Sequence, residues 1–153
     1  EAEAIYESVA THESAVIICF VQGANAREVA DLKLDGDPVP MLLDYFGHEI
    51  ERAQSAGGTR IIIDPGLGFY YRNLEDSADR VRHQMKIFLN TFRLRQLGWP
   101  ICHALPHAFE YFGEEVRTAE SFFAVLAAFG KTSIFRTHEV PKVQAVLETL
   151  RSY

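Results

Sequence analysis

Apolar residues fall along this chain in short continuous runs, separated by longer stretches in which they recur every three or four positions. Four runs are rich in β-branched side chains: Ala15-Val-Ile-Ile-Cys-Phe-Val21, Arg60-Ile-Ile-Ile-Asp64, Pro100-Ile-Cys-His-Ala-Leu105 and Ser133-Ile-Phe-Arg-Thr-His138. Continuous rather than alternating runs are the mark of parallel strands covered on both faces. The stretches between them carry helical spacing. Pro40 stands where a first-turn proline belongs, Met41, Leu42, Tyr45, Phe46, Ile50 and Ala53 follow on one face, and Gly57-Gly58 supplies a stop. A second helix is predicted from near Asn73, with Glu75 and Asp76 in its first turn. Its stripe is Val81, Met85, Phe88, Leu89 and Phe92, and Arg93, Arg95 and Gly98 end it. A third spans Thr118 to Phe129. The last runs from Pro141 through Val143, Val146, Leu147 and Leu150, and Glu3 to Thr11 reads as an opening helix.

The predicted order is therefore one helix followed by four strand–helix units, an α/β protein with parallel β/α units. Such alternation requires crossover connections of one hand. A doubly wound open sheet and part of a TIM-type (β/α)8 barrel both satisfy it, and periodicity does not choose between them. The stretch from Val21 to Val39, with Gly23, Gly36, Asp37 and Pro38, is the longest expected to be irregular.

Composition narrows the classes. At 153 residues and 48% apolar, the chain suits one domain with its own core, taken as residues 1–153. A net charge of −6 leaves no basic face for nucleic acid. The longest apolar runs are too short to cross a bilayer as helices. Glu1 to Ala4 do not form the basic start of a secretion signal. Cys19 and Cys102 lie singly in apolar runs, usage that fits buried thiols in a reducing, cytoplasmic setting.

In folds of this kind the chemistry gathers where strands end. After the second strand comes Asp64-Pro-Gly-Leu-Gly-Phe69. Pro65 ends the ladder for lack of an N–H, and the glycines let backbone pass close to a ligand. After the fourth, Arg136 and His138 stand two apart, on one side of the chain. Each feature also has a plainer reading. The Asp64-Pro65-Gly66 tripeptide can simply terminate a strand, and Arg136 and His138 can be a solvated strand end beside Glu139. His103 and His107 have the spacing of a metal pair, but Pro106 lies between them and no third ligand is adjacent. The aromatics Phe109, Tyr111, Phe112, Phe122 and Phe123 read as core or interface packing.

Taken in order, Asp64-Pro-Gly-Leu-Gly-Phe69 resembles the D-P-G-x-G-F motif of dihydropteroate synthases, and Ile134-Phe-Arg-Thr-His-Glu-Val140 resembles their closing strand, I-x-R-x-H-D-V. The run Val16 to Gly23 is similar to their fifth strand, with Phe20 where those enzymes carry a histidine. The resemblance runs through nearly the whole chain and covers strands five to eight of such a barrel, its C-terminal half.

The resemblance implies a transferase of folate biosynthesis that joins hydroxymethyl-dihydropterin diphosphate to an arylamine. Asp64 would accept the pterin's paired N–H donors, Gly68, Phe69 and Phe20 would line the slot, and Arg136 with His138 would hold the diphosphate. Magnesium (Mg2+) accompanies that diphosphate in the family, its strongest ligand lying in the other half. The family follows its seventh strand with Ser-Arg-Lys; here Pro106-His107-Ala108 follows Leu105, so His107 is the residue left to supply charge. Two other readings stand beside this one: a degenerate homologue that binds pterin without turnover, and a metal-dependent hydrolase using His103, His107, His138 and Asp64. A half-barrel leaves strand edges and inward side chains without partners, so self-association or an N-terminal barrel half is the expected partner.

Overall fold

The four β-branched runs do become strands, each shorter than its run. The computed structural model describes residues 2–25, 28, 29, 31, 36–68, 77–106 and 108–152. Along the chain come α1 (Ala2–Thr11), β1 (Val16–Cys19), β2 (Gly23–Asn25), β3 (Glu28–Val29), α2 (Val39–Ser55) and β4 (Ile61–Asp64). Then follow α3 (Ser77–Asn90), a 3-10 turn (Thr91–Leu97), β5 (Cys102–Ala104), α4 (Phe109–Phe112), a second 3-10 turn (Gly113–Glu115), α5 (Thr118–Phe129), β6 (Ile134–Arg136) and α6 (Val140–Arg151).

Strand β1 pairs in parallel with β4, from Val16 opposite Ile61 to Cys19 opposite Asp64. An isolated parallel bridge between Ile63 and Ile101, and the bond from Ile63 N–H to the Pro100 carbonyl (3.0 Å), carry the sheet on toward β5. Strand β5 in turn pairs in parallel with β6. Each long-range neighbour is thus the next unit in the chain. A doubly wound sheet reverses direction at a switch point; this one advances steadily, as a barrel wall does. That order resolves the choice that periodicity left open.

Register sorts the side chains into two faces. Ile18, Ile61, Ile63, Ile101 and His103 are buried on the side of the helices. There they meet Leu42 and Phe46 of α2, Phe88 of α3 and Phe123 of α5, all fully buried. Each such side chain contributes about 1.5–3 kcal/mol by leaving water. The other face carries Ile17, Cys19, Ile62, Asp64, Cys102, Ala104, Ile134 and Arg136. On it Ile17 is 47% and Ile134 38% exposed, although both are large apolar strand residues. In a closed barrel this face would be the interior.

Two sequence expectations are corrected. The stretch expected to be irregular contains the β2–β3 ladder, with Gly23 opposite Val29 and Asn25 opposite Glu28. Helix α3 is rotated from its predicted stripe: Leu89 and Phe92 are 44% and 52% exposed, while Arg80, His83, Gln84, Ile87, Phe88 and Thr91 are buried. Those six recur at helical spacing, so the inward face is amphipathic along its length: polar in its first half and apolar further on. The start expected for this helix near Asn73 lies outside the described residues. Past Asn90 the chain tightens into the 3-10 turn, where Thr91 Oγ1 donates to the Ile87 carbonyl at 2.8 Å.

Candidate functional site

Asp64 ends β4 and is fully buried. Gly66 takes a positive φ of 76°, a conformation open to glycine, and its N–H turns back to Asp64 Oδ1 at 2.9 Å. The Asp-Pro-Gly motif is therefore a turn closed by its own aspartate. The second oxygen, Oδ2, lies 3.5 Å from Nη2 of Arg136, across the intervening strand end, and has no hydrogen-bond partner. Burial pushes the Asp64 carboxyl above the usual carboxylate range, against the opposing pull of the Gly66 N–H, the Arg136 charge and the Cys19 thiol. Cys19 is its neighbour in register; burial, with the Asp64 charge next, pushes that thiol up to about 12 and keeps it protonated.

Arg136 also lines a cavity of about 290 Å³ at the C-terminal ends of β4, β5 and β6. Leu67 and Gly68 wall it from the turn after β4, and Leu105 and Pro106 from the end of β5. Arg136, Thr137 and His138 line it from β6, and Arg80 and Gln84 from α3. Gln84 donates through Nε2 to the Leu67 carbonyl at 3.0 Å, while its buried Oε1 has no partner. Arg136 is held at the rim by its carbonyl, which accepts the Leu105 N–H at 2.9 Å, and its side chain is 60% exposed.

Behind the rim stands Glu120, from the first turn of α5 and fully buried. Its Oε2 accepts the Thr137 hydroxyl and, at 2.9 Å, the His138 N–H. Its Oε1 accepts His138 Nδ1 at 3.2 Å and Arg117 Nη1 at 3.3 Å. Thr137 Oγ1 also accepts the Glu139 N–H at 2.9 Å, which ties the start of α6 to the same point. Sequence reasoning missed Glu120, since an acid in the first turn of a helix is ordinary and only the packing of α5 beside β6 brings it to the loop.

Asp64, Gly68, Arg136 and His138 are brought to one end of the sheet, where the last three line the cavity and Asp64 approaches its Arg136 without lining it. Phe20 is taken elsewhere. Alternation turns it toward the helices, where it packs edge-to-face on Tyr45 at 5.0 Å and lines a separate hollow beside α2. Phe69 and His107 lie outside the described residues. The metal set does not assemble, because His103 faces away from Asp64 on the opposite side of the sheet. It is fully buried against Phe88, with Nε2 2.8 Å from Thr91 Oγ1, and burial lowers its pKa to about 3. Among the described residues no group of three His, Cys, Asp or Glu is placed to hold a metal ion. Nor do the cavity walls suit magnesium, which needs oxygen ligands. Among the described residues the polar side chains on them are those of Arg80, Gln84, Arg136, Thr137 and His138, and Glu120 is engaged from within the fold.

Consecutive parallel β/α units define part of a (β/α)8-type barrel, and the polar cavity lies at the end of the strands where such barrels carry their active sites. The particular barrel is that of the dihydropteroate synthases. The enzyme from Xanthomonas albilineans, solved with 4-aminobenzoic acid, matches with a TM-score of 0.75 and 24% identity, over 96% of this chain and 52% of its own. That from Stenotrophomonas maltophilia, solved with active site-bound imidazole, gives 0.78 and 20%, over 98% and 57%. The Thermus thermophilus enzyme gives 0.76 and 20%, over 98% and 58%. The chain has their fold and spans just over half of their length. No family model and no curated protein matches it.

Proposed function

We propose that this chain is the pterin-binding half of a dihydropteroate synthase-like transferase, corresponding to strands five to eight of the barrel. The observation that supports the reading is the buried Asp64 Oδ2, without a hydrogen bond and 3.5 Å from Arg136, at the glycine turn whose Leu67 and Gly68 wall the rim cavity. A pterin presents a ring N–H beside an amino group, and one carboxylate accepts that pair bidentately. Binding would give that buried carboxylate charge-assisted hydrogen bonds from the ligand. Arg136, half-exposed above, stacks on the ring or grips an anion.

In the transfer, the bond from the pterin methylene to the diphosphate oxygen breaks with its electron pair, an arylamine nitrogen bonds to the methylene, and the amine gives up a proton. Negative charge grows on the departing diphosphate, and preorganised cations there lower the barrier. In this reading that role falls to Arg136 and His138, and what supports it is that both line the cavity together with Arg80. The other barrel half supplies the remaining walls and the second substrate's contacts.

A second reading, pterin binding without turnover, is favoured by one observation. Ala108 stands where the family carries the lysine of its Ser-Arg-Lys run, and it is buried.

Calorimetric titration of 6-hydroxymethylpterin into the protein and its Asp64→Ala variant tests the reading, with and without pyrophosphate. Binding that is lost in a folded Asp64→Ala variant, and strengthened by pyrophosphate, is expected. A folded parent protein that binds no pterin overturns it. Binding without product formation, after the other barrel half is supplied, selects the second reading.

A further inference from the structure

Gln84 is an amide on the inward face of α3, outside both motif segments, and it lines the rim cavity while only 4% exposed. Which end of the amide faces where is settled by the neighbouring backbone. Nε2 donates to the Leu67 carbonyl at 3.0 Å, and a carbonyl oxygen can be met only by a donor. The amide nitrogen therefore belongs on the Leu67 side. Its oxygen, Oε1, is buried and has no hydrogen-bond partner among the described residues. Turning the amide over would set two acceptors, Oε1 and the Leu67 carbonyl, against each other. A buried acceptor without a donor has lost its hydration and gained nothing for it. Whatever fills the cavity is thus favoured if it brings a hydrogen to this oxygen, and disfavoured if it brings another lone pair.

We propose that Gln84 is a specificity-determining residue of the rim cavity, accepting through Oε1 from an anion that carries a hydrogen. The cavity then takes the hydrogen-bearing form of a phosphate or diphosphate and discriminates against oxyanions of equal charge that carry none. The class of anion rests on the proposed function; the orientation of the amide does not. Arg136 lines the same cavity and supplies positive charge, which any dianion satisfies. Charge therefore does not tell hydrogenphosphate from sulfate, whereas a fixed acceptor does. Hydrogenphosphate offers one O–H to it, and sulfate offers lone pairs alone. The guanidinium groups of Arg80 and Arg136 are donors without an acceptor, and the Thr137 hydroxyl already donates to Glu120 and accepts from the Glu139 N–H. Gln84 Oε1 is the acceptor on these walls that the fold leaves unmet.

The test begins with the parent protein, so its first result does not depend on a variant folding. Calorimetry at pH 8 measures the binding of inorganic pyrophosphate, and then its displacement by three small dianions. Inorganic phosphate carries one O–H; sulfate and monofluorophosphate carry none. Phosphate is expected to compete about tenfold better than either, the worth of one otherwise unmet hydrogen bond. Phosphate that competes no better than the other two overturns the role of Gln84 and leaves the anion reading of the cavity standing. A folded parent that binds no pyrophosphate overturns that reading, and this proposal with it. Gln84→Met removes the acceptor in a side chain of similar length, and is expected to erase the preference for phosphate. A role confined to bracing the turn at Leu67 would weaken all three dianions alike, so a preference that survives the substitution overturns the proposal. The second hydrogen on Nε2, wherever it reaches an anion, serves all three equally and does not enter the comparison.

Discussion

A buried aspartate with one unpartnered oxygen is a cost to the fold, and its sign with pH follows from its raised pKa. Below the unfolded-state value of about 3.9, both states hold the proton and Asp64 is neutral to stability. Above it the folded state binds the proton more strongly, so stability falls as pH rises toward the folded-state value and levels off beyond it. Asp64→Asn keeps the acceptor for Gly66 N–H and removes the charge. It is expected to melt higher than the parent at pH 7, by a margin that shrinks as pH approaches 4, while losing pterin affinity. Thermal unfolding at the two pH values checks it, and a variant less stable at pH 7 would show that the Arg136 pair outweighs burial. The buried histidines work in the opposite direction. Burial lowers His83 to about 4, with Lys86 next in effect, and His103 to about 3. A depressed histidine stabilises the fold above its unfolded pKa of about 6.5, and that stability is lost as pH falls below it. Between pH 6.5 and 5, each loses about 2 kcal/mol at about 1.36 kcal/mol per unit. Urea unfolding at pH 7 and pH 5 is expected to show this drop, and His103→Asn to remove roughly half of it; a flat profile rejects the assignment.

The elements meet more closely than their hydrophobic patterns disclose. Gly130 caps α5 where it crosses α3, and a Cβ built on it would lie 1.8 Å from the Phe88 carbonyl oxygen. Its φ of −73° is ordinary, so the glycine is required by the approach of two backbones and not by conformation. Gly130→Ala is expected to cost about 3 kcal/mol, the upper end of overpacking. That is comparable with Phe123→Ala, expected at about 3–5 kcal/mol for a buried phenylalanine. Chemical denaturation of both variants checks the pair, and a mild Gly130→Ala would mean that α5 slides freely on α3. Helix existence was readable in the chain, because the apolar spacing, Pro40 and the glycine stops are local signals. The orientation of α3 was not. Its inward face is chosen by the cavity it walls, and so it buries Arg80, His83 and Gln84 while leaving Leu89 and Phe92 in solvent.

At the scale of the molecule, the open inner face is the outstanding feature. Ile17 and Ile134 stand exposed on the face that a complete barrel would enclose, and the chain spans just over half the length of the barrels it matches. Exposed apolar strand residues and unpaired edges favour association. The 153-residue chain alone is expected to self-associate with rising concentration, and Ile17→Lys with Ile134→Lys to weaken that at least tenfold. Sedimentation velocity checks it, and a parent that stays monomeric at high concentration would show that this face tolerates water. Among the described residues no helix is long and apolar enough to cross a membrane.

The amino-acid sequence by itself determined the strand–helix alternation, the Asp64 turn and the Arg136–His138 strand end, because each is written in residues adjacent along the chain: β-branched runs, helical spacing, proline and glycine. The motifs, through the family they resemble, also pointed to the barrel that the strand order bears out; only the tertiary structure decided that Phe20 and His103 face the helices and that Glu120 reaches His138. Those outcomes depend on strand order, register and the packing of α5 against β6, which join residues far apart in sequence and leave no local trace.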